Sequence, residues 1–487
     1  MRSLVATFIL TASVVTAAPS IEPTKQQATQ LAAIRAARTH GLDPESYGLT
    51  EIEASVARAD AGTFTALIEQ SFGQYTTDLS NGHTDSHSVD PDWHLAAPVR
   101  TSEGSAQVAQ SAAPPHAAYR RLQEAMLRYL AIERLGGWPE LAAGPALSVG
   151  MRDAQVRAAR DRLRLTEDFD DDAQADAWFF GSGLDHAVRR FQARHGLQAN
   201  GVIDAVTRAA MNVPVEARIL QLAVAMERWR WLPRDLGSEF AWVNVPQLTV
   251  EVVEAGETTL IVRAIVGHSS RPTPSMASEI RQIVFNPSWY VPHSIATRDL
   301  LPKLKKDPAF AERNGFQVIS GRGDDQRAVD PASINWSAMS ASELSYRFVQ
   351  KPGEGNSLGR VKFVFDNSFD IYLHDTPAKG LFALRTRTFS SGCVRLEQAD
   401  SLADYLLANY YESGETSMAQ WLESSRSRAV NLSQRLPIYI VYITSWVDEA
   451  GVVNFRRDLY GRDVMVAEAL QSARGWSSAS GLVAIQR

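Results

Sequence analysis

Cysteine is almost absent from this chain, because Cys393 is the only one among 487 residues. A single thiol cannot form an internal disulfide, so Cys393 is either a buried inert residue or a thiol kept for its reactivity. An excess of basic residues is also lacking, since 49 Lys and Arg stand against 55 Asp and Glu for a formal net charge of -6. Nucleic-acid-binding proteins normally carry a basic domain or stripe, so we expect no nucleic-acid partner.

Long apolar runs are missing as well. The run from Leu4 to Val15 follows Arg2 and precedes the small residues Thr16, Ala17 and Ala18, which is the order of an export signal. We therefore predict that residues 1–18 are a signal peptide and that the protein is periplasmic. The alternative is an uncleaved segment that keeps the protein at the inner membrane. No later segment has the ~18 consecutive apolar residues that a membrane span needs.

The rest of the sequence predicts an α+β multidomain protein. Apolar residues at helical spacing fill the first part, interrupted by an irregular loop from Thr76 to Pro115, whereas alternation and β-branched residues dominate from residue 238. A polar insertion in the β domain is a candidate lid over a functional site. The predicted units are a helical scaffold at 19–148, a three-helix module at 149–213, a linker helix at 214–237, a mostly β domain at 238–463 with the insertion at 298–347, and a peripheral tail at 464–487.

The stretch that ends at Cys393 carries a nucleophile and a base. His374 ends an alternating strand-like run 19 residues upstream of the thiol, and an imidazole can accept the thiol proton to give the reactive thiolate. We predict that Cys393 lies in a turn that opens a helix, whose N-terminus would favour the thiolate. The amides of Gly392 and Cys393 would then form an oxyanion hole. The alternative is a buried His-Asp pair at a strand end beside an unrelated thiol.

The three-helix module resembles a known wall-binding repeat. The residues that carry the resemblance to the peptidoglycan-binding repeat are Phe191-Gln192, His195-Gly196-Leu197, Gly201, Ile203 and Thr207. The resemblance implies a domain that binds or positions the protein on the cell wall. The alternative is a three-helix packing unit without a binding groove.

The stretch around the thiol resembles the L,D-transpeptidases, the YkuD-like family. That family has a histidine, a spacer, then Ser/Thr-His-Gly-Cys and an arginine, and the matching residues here are His374, Ser390, Gly392, Cys393 and Arg395. The sequence departs at Ser391, where most members have His. The longer periplasmic branch of the family is similar in having Ser-Ser-Gly-Cys-Val-Arg. The departure leaves His374 as the only histidine of the stretch able to act as base.

Further segments extend the resemblance to that longer branch over about residues 150–463. They are Glu227 to Pro233, Asn286-Pro287, Trp289, Val291-Pro292, Ser294-Ile295, Asn356, Leu358-Gly359, Lys362-Phe363 and His374 to Pro377.

The resemblance implies a cysteine acyltransferase that cross-links peptidoglycan and so serves cell-wall organisation and cell shape. Cys393 would attack the L-centre carbonyl of the third residue, a diamino acid, of a tetrapeptide stem and release D-alanine. The acyl group would pass to an amine of another stem, with His374 as general base and acid. Gly392, Tyr372 and Ser391 would line the oxyanion or substrate site. Arg395 would bind a substrate carboxylate, or brace the loop through a structural salt bridge.

The same resemblance implies partners and leaves alternatives open. The expected partners are peptidoglycan stem peptides and penicillin-binding proteins or other wall synthases, with carbapenem β-lactams as inhibitors that acylate the same sulfur. No metal or other cofactor is needed. The alternatives are an L,D-carboxypeptidase, a transpeptidase that attaches proteins to the wall, and a non-catalytic wall-binding scaffold.

Overall fold

The computed structural model describes residues 21–96, 111–170, 176–321, 323–411, 418–424 and 426–471. The predicted signal peptide at residues 1–18 lies outside these ranges, as do the part of the predicted loop at 97–110 and the end of the predicted tail at 472–487. Within the described residues, no helix combines the length and the apolar character needed to cross a bilayer.

The N-terminal region is helical, as predicted. Its helices are α1 (Lys25–Arg35), α2 (Leu49–Ala57), α3 (Ala61–Asn81), α4 (Ser86–Val89) and α5 (Ala117–Arg134). Asp60 caps α3 by accepting a hydrogen bond from the Thr63 amide. The irregular stretch was predicted from Thr76, which is wrong for its first residues, because α3 continues to Asn81. Leu79 and Asp78 are buried there, and Asp78 accepts a 3.0 Å hydrogen bond from the Tyr47 hydroxyl.

Three helices form the next unit, in agreement with the predicted three-helix module. They are α6 (Ala154–Leu165), α7 (Ser182–Arg194) and α8 (Ala205–Met211). Val156, Leu184, Val188 and Phe191 are fully buried in its core. The apolar stripe that the sequence shows on α7 therefore faces the other two helices.

The helix after this unit, α9 (Val215–Arg230), lies in the predicted linker at 214–237 and is buried. Apart from Glu216, every residue of α9 is buried. The helix packs between α5 and the last described helix, α15 (Arg462–Gln471). Its end contacts the β domain, where the rings of Trp229 and Trp242 stack with centroids 5.5 Å apart.

A cluster of buried ion pairs ties α9 to two distant segments. Arg228 on α9 pairs with Asp463, and Arg462 donates to both carboxylate oxygens of Asp90 at 2.7–2.9 Å. Asp90 belongs to the N-terminal region, whereas Arg462 and Asp463 open α15. The tail was predicted as peripheral from residue 464, which is wrong up to Gln471, because the apolar side of α15 is buried against α9.

A nine-stranded sheet forms the body of the β domain, which confirms the predicted α+β organisation. Its strands are β1 (Glu239–Asn244), β2 (Thr249–Glu254), β3 (Glu257–Gly267), β4 (Met276–Phe285), β9 (Val361–Phe365), β10 (Leu373–His374), β11 (Thr388–Ser390), β12 (Val394–Leu396) and β13 (Arg428–Val441). The order is β11-β3-β12-β10-β9-β4-β13-β1-β2, and β2 also pairs with β3, so the sheet closes on itself. Helices α13 (Ala399–Tyr410) and α14 (Met418–Glu423) complete its core, and the hairpin of β14 (Ser445–Val447) and β15 (Val453–Phe455) precedes α15.

The polar insertion is a folded unit with its own sheet. It contains β5 (Trp289–Tyr290), β6 (Phe316–Ser320), β7 (Arg327–Val329) and β8 (Arg347–Gln350), with helices α10 (His293–Ile295), α11 (Leu301–Lys306) and α12 (Phe310–Arg313). The sheet order is β5-β8-β6-β7. Leu304, Val318, Trp336 and Phe348 form a separate small core. The domain boundaries drawn from the sequence, including 298–347 for the lid, stay predictions.

Candidate active site

Strand pairing brings the thiol and the imidazole to one face of the sheet. β10 and β12 are parallel, with Leu373 opposite Val394 and His374 opposite Arg395. Because side chains alternate along a strand, Tyr372, His374 and Cys393 share a face with Arg395, while Leu373 and Val394 point into the core. The amide of Val394 donates to the Tyr372 carbonyl at 3.2 Å, which continues the pairing to Cys393.

The turn that presents Cys393 is fixed from both sides. The Ser390 hydroxyl donates to the Cys393 carbonyl at 2.5 Å and accepts from the Gly392 amide at 3.1 Å. Thr273 donates to the Gly392 carbonyl at 2.7 Å. Gly392 has φ 113°, a value that favours glycine, and an added Cβ would lie 3.3 Å from the Ile371 side chain. The Gly392 amide predicted for the oxyanion hole is therefore engaged inside the turn.

The turn leads into a strand, so the prediction that Cys393 opens a helix is wrong. Residues Val394–Leu396 form β12, and the helix begins only at Ala399. A helix dipole acts within about one turn of the helix end, so it does not reach the thiol. The predicted strand before His374 is also shorter than expected, because Asn367 accepts hydrogen bonds from the amides of Phe369 and Ile371 and shapes a loop there.

The thiol is protonated in this arrangement. Burial raises the pKa of Cys393, while the backbone amide of Tyr372, the charge of Lys362, the Tyr372 hydroxyl and the charge of Arg395 act against that rise. The Sγ atom lies 3.7 Å from the Asp370 carbonyl, to which the thiol donates. Deprotonation therefore needs a base.

His374 has the properties of that base. Its Nδ1 lies 2.5 Å from the Asp375 carbonyl, and a carbonyl can only accept, so Nδ1 carries the proton and Nε2 keeps its lone pair. Burial, then the neighbouring charge of Arg395, lowers the pKa of His374 to about 3. The ring is thus neutral at neutral pH. No hydrogen bond joins His374 to Cys393 in the described part of the chain, and catalytic contacts are often looser before substrate binds.

Lys362 is a further functional candidate. From the sequence it was named only as part of the resemblance and was given no role. It lies on β9 directly opposite His374, and its Nζ is 3.8 Å from the centre of the Tyr372 ring. Burial lowers the pKa of Lys362, and the charge of Cys393 opposes this effect. A lysine in the otherwise apolar β9 sequence Val-Lys-Phe-Val-Phe was the only signal for it.

A structural salt bridge was predicted from the sequence as one role for Arg395, and the described residues form no such bridge. No carboxylate pairs with Arg395 among the residues that the structure describes, and its buried Nε has no hydrogen-bond partner. Burial lowers the pKa of Arg395, whereas the charge of Cys393 raises it. Its guanidinium is therefore available to an anion.

A small cavity of about 90 Å³ opens at the thiol. It is lined by Arg271, Pro292, Ser294, Ile295, Arg298, Phe369, Asp370, Ile371, Tyr372, Ser391 and Cys393. The predicted site residues Tyr372, Ser391 and Cys393 are thus brought together. Pro292, Ser294, Ile295 and Arg298, where the chain enters the predicted insertion, form one wall.

The N-terminal region also reaches this site, which the sequence did not indicate. The amide of Ser275 donates to the Asp92 carbonyl at 2.9 Å, and the amide of His94 donates to the Ser275 carbonyl at 2.8 Å. The His94 ring lies 4.5 Å from Phe369, which lines the cavity. Two residues before Ser275, Thr273 holds the turn that presents Cys393.

Three family descriptions match consecutive parts of the chain. They are "Scaffold domain" at residues 20–126, "Putative peptidoglycan binding domain" at 152–211 and "L,D-transpeptidase catalytic domain", the YkuD family, at 238–420.

A curated protein of Haemophilus influenzae, named "Putative L,D-transpeptidase", is 37% identical over 251 residues. The match covers 51% of this chain and 49% of the relative, so the chain spans about half the length of the relative it matches.

Two solved structures also match, with low similarity. An L,D-transpeptidase from Xylanimonas cellulosilytica is 15% identical, with a TM-score of 0.20. The match covers 62% of this chain and 100% of that chain. A fused zinc-dependent amidase/peptidase with a peptidoglycan-binding domain, from Clostridium acetobutylicum, is 13% identical, with a TM-score of 0.15, 61% of this chain and 100% of that chain covered. At these scores neither structure adds to the argument.

Proposed function

We propose that residues 238–420, which match the L,D-transpeptidase catalytic domain, act as such a domain and that the protein cross-links peptidoglycan stem peptides through an acyl-enzyme on Cys393. The observation that carries the proposal is the shared face of β10 and β12. It brings the one thiol of the chain, which lines a cavity, to the same side of the sheet as a buried neutral imidazole. A nucleophile and a base within one strand pair are the parts that thiol acyl transfer requires.

The first half of the reaction breaks the donor peptide. The Cys393 thiol leaves the Asp370 carbonyl and passes its proton to Nε2 of His374. Lys362, Arg395 and the Tyr372 amide stabilise the thiolate that forms. The sulfur attacks the L-centre carbonyl of the diamino acid, and the amide of Cys393 and the Tyr372 hydroxyl stabilise the oxyanion. The bond to D-alanine breaks, and His374 returns its proton to the leaving amine.

The second half joins the two stems. An amine of a second stem attacks the thioester carbonyl, while His374 accepts its proton. The C–S bond then breaks, and His374 passes this proton to the sulfur, which restores the thiol and the neutral imidazole. Arg395 would hold a substrate carboxylate, because its guanidinium has no carboxylate partner of its own. We place the reaction in the periplasm, beside penicillin-binding proteins or other wall synthases.

The test compares the protein with its Cys393→Ser variant on a purified tetrapeptide stem. We expect cross-linked dimer from the parent and a loss of at least ~10³-fold in the variant, since the hydroxyl is a much weaker nucleophile than a thiolate. Trimmed tripeptide without dimer would indicate the carboxypeptidase instead. Full product formation by Cys393→Ser would overturn the mechanism.

Covalent labelling gives an independent measure of the same thiol. Intact-mass detection should find one carbapenem adduct on the parent and none on Cys393→Ser. Sedimentation of both proteins with peptidoglycan sacculi serves as the folding control, because wall binding should survive the substitution. A chain that binds sacculi yet forms neither adduct nor product would be a non-catalytic wall-binding scaffold.

A further inference from the structure

A second cavity, of about 580 Å³, lies where the peptidoglycan-binding module meets the catalytic domain. We call it the interdomain groove. It is lined by Gly196, Leu197, Gln198, Asp204, Val206 and Thr207 of the module, and by Leu248, Arg263, Ala383, Leu384, Arg385, Arg387 and Arg456 beyond it. Its module side includes Gly196, Leu197 and Thr207, which carry the resemblance to the peptidoglycan-binding repeat.

Positive charge dominates the groove. Four of the lining residues are arginines, and the only lining carboxylate belongs to Asp204. That carboxylate accepts a 2.7 Å hydrogen bond from the Thr207 amide and caps α8. Outside the lining, Glu397 lies 3.4 Å from Arg263. The groove therefore keeps an excess of positive charge.

The arginines repel one another. Burial, then the charge of Arg263, lowers the pKa of Arg387. Burial, then the charge of Arg387, lowers the pKa of Arg456 to about 10. Cations brought together in this way attract an anion, and a guanidinium pairs with a carboxylate in a bidentate manner.

Three of the four guanidinium groups are held in place by backbone carbonyls. Arg263 donates to the Phe382 carbonyl. Arg387 donates to the carbonyls of Ala264 at 3.0 Å and Leu248 at 3.1 Å. Arg456 donates to the Arg194 carbonyl at 2.8 Å. By contrast, Arg385 is exposed, and no hydrogen bond or ion pair engages it within the described residues. The groove thus combines arginines that are fixed by hydrogen bonds with Arg385, whose guanidinium is free to bind a ligand.

The groove is close to the nucleophile along the chain. Arg387 immediately precedes β11, and the turn with Cys393 follows that strand. Arg387 and Cys393 are six positions apart, so their Cα atoms lie within about 20 Å of one another, the length of an extended chain. A polymer with several peptide branches can therefore reach the groove and the thiol together.

We propose that the interdomain groove binds the carboxylates of a peptidoglycan stem peptide while another stem occupies the site at Cys393. The inference rests on the proposed function for its substrate class. It assigns the arginines to recognition of the peptide rather than of the glycan. It also gives the contact between module and catalytic domain a role in placing the polymer.

The experiment measures sedimentation with sacculi in a Cys393→Ser background, so that acyl transfer plays no part. Arg385→Glu should weaken the affinity about tenfold at ~0.15 M salt, since one charge-assisted contact is lost and repulsion is added. The matched control is Arg120→Glu, a reversal at an exposed position of α5, which should bind like the parent. Glycan strands stripped of stem peptides by an amidase no longer sediment, so they are immobilised on beads; they should bind the parent about as weakly as intact sacculi bind Arg385→Glu.

Two outcomes would overturn the inference. One is unchanged binding of Arg385→Glu, and the other is equally strong binding of the parent to the stripped glycan. Folding of Arg385→Glu is checked by its carbapenem adduct in a background with Cys393 intact. If the parent itself forms no adduct, the proposed function fails, whereas the sedimentation result still decides the role of the groove.

Discussion

The residues around Cys393 set the protonation of the thiol through charges rather than through a helix end. Burial raises the pKa of Cys393, and the positive charges of Lys362 and Arg395 offset part of that rise. Both cations are themselves partly desolvated, and their own pKa values are lowered by burial. Each positive charge therefore stabilises the thiolate, and the thiolate in turn stabilises the protonated forms of Lys362 and Arg395.

Replacement of Lys362 by Met should raise the pKa of Cys393, because the thiolate loses a nearby positive charge. The pH profile of iodoacetamide labelling should shift to higher pH, with labelling at pH 7 about fivefold slower, as expected for a charge pair worth on the order of 1 kcal/mol. Lys351→Met, at an exposed position, is the matched control. An unchanged profile in Lys362→Met would show that the lysine does not act on the thiol.

The sequence allowed the role of a single residue to be predicted where that residue belongs to a recognisable motif. Cys393 and His374 stand out because one is the only cysteine and the other ends an alternating run. Lys362 and Thr273 were not singled out for any role, because strand register across long chain separations sets their contacts. No local pattern reveals that Thr273 holds a carbonyl 119 residues away.

At the scale of elements, the turn at residues 390–393 depends on a segment of the N-terminal region, which lies outside the nine-stranded sheet. Residues 92–94 pair with Ser275, and Thr273 then donates to the Gly392 carbonyl while accepting from the Gly267 amide at 2.9 Å. Thr273 thus joins the end of β3 to the turn. It is a positioning residue, since it does not line the cavity at the thiol.

Thr273→Val keeps the shape of the side chain but removes both hydrogen bonds. A buried acceptor or donor left without a partner costs about 1–3 kcal/mol, so we expect carbapenem acylation of Cys393 to slow by about tenfold and Tm to fall by a few degrees. Thr273→Ser, which keeps the hydroxyl, should restore the acylation rate. A rate unaffected in Thr273→Val would mean that the turn holds its shape without Thr273.

Element boundaries near the site show why sequence patterns fell short. The run from Phe369 to His374 alternates like a strand, yet only Leu373 and His374 pair, because the Asn367 side chain caps the preceding loop. The helix after Cys393 was correctly predicted but placed too early. The three residues of β12 were overlooked because their pairing partners, β3 and β10, are remote in sequence.

At the scale of the whole molecule, several buried or half-buried histidines favour their neutral form. Burial lowers the pKa of His40 and of His374 to about 3, and it also lowers the pKa values of His116 and His195. His83 is the opposite case, because its hydrogen bond with Asp78 raises its pKa. The four neutral histidines come from the scaffold, the three-helix module and the β domain.

We expect acid to destabilise the protein because of these four histidines. A histidine whose pKa is lower in the folded than in the unfolded state gives its full stability above pH ~6.5, and this stability is lost as the pH falls, at about 1.4 kcal/mol per pH unit and residue. Tm measured by calorimetry should therefore be lower at pH 5.0 than at pH 7.5. An equal or higher Tm at pH 5.0 would contradict the neutral, buried state of these rings.

The order of helical, three-helix and β regions was predictable, but their packing was not. Helix α9 carries the polar residues Arg218, Gln221 and Arg228, and polar side chains on a helix normally face water. In the folded chain these side chains are buried and paired. Arg218 donates to Gln221 at 2.9 Å, and Arg228 binds Asp463. The spacing of polar and apolar residues along a helix does not reveal that its charged side chains are paired and buried.

The buried ion pairs around α9 bear on how such a protein can change over evolution. Asp90, Arg228, Arg462 and Asp463 come from three separate stretches of the chain, and each carboxylate is balanced by an arginine from another stretch. Removing one partner of a buried pair typically costs 3–5 kcal/mol. Recombination that exchanged α15 without the scaffold and α9 would leave such charges unmatched, so these three parts are expected to be inherited as one block.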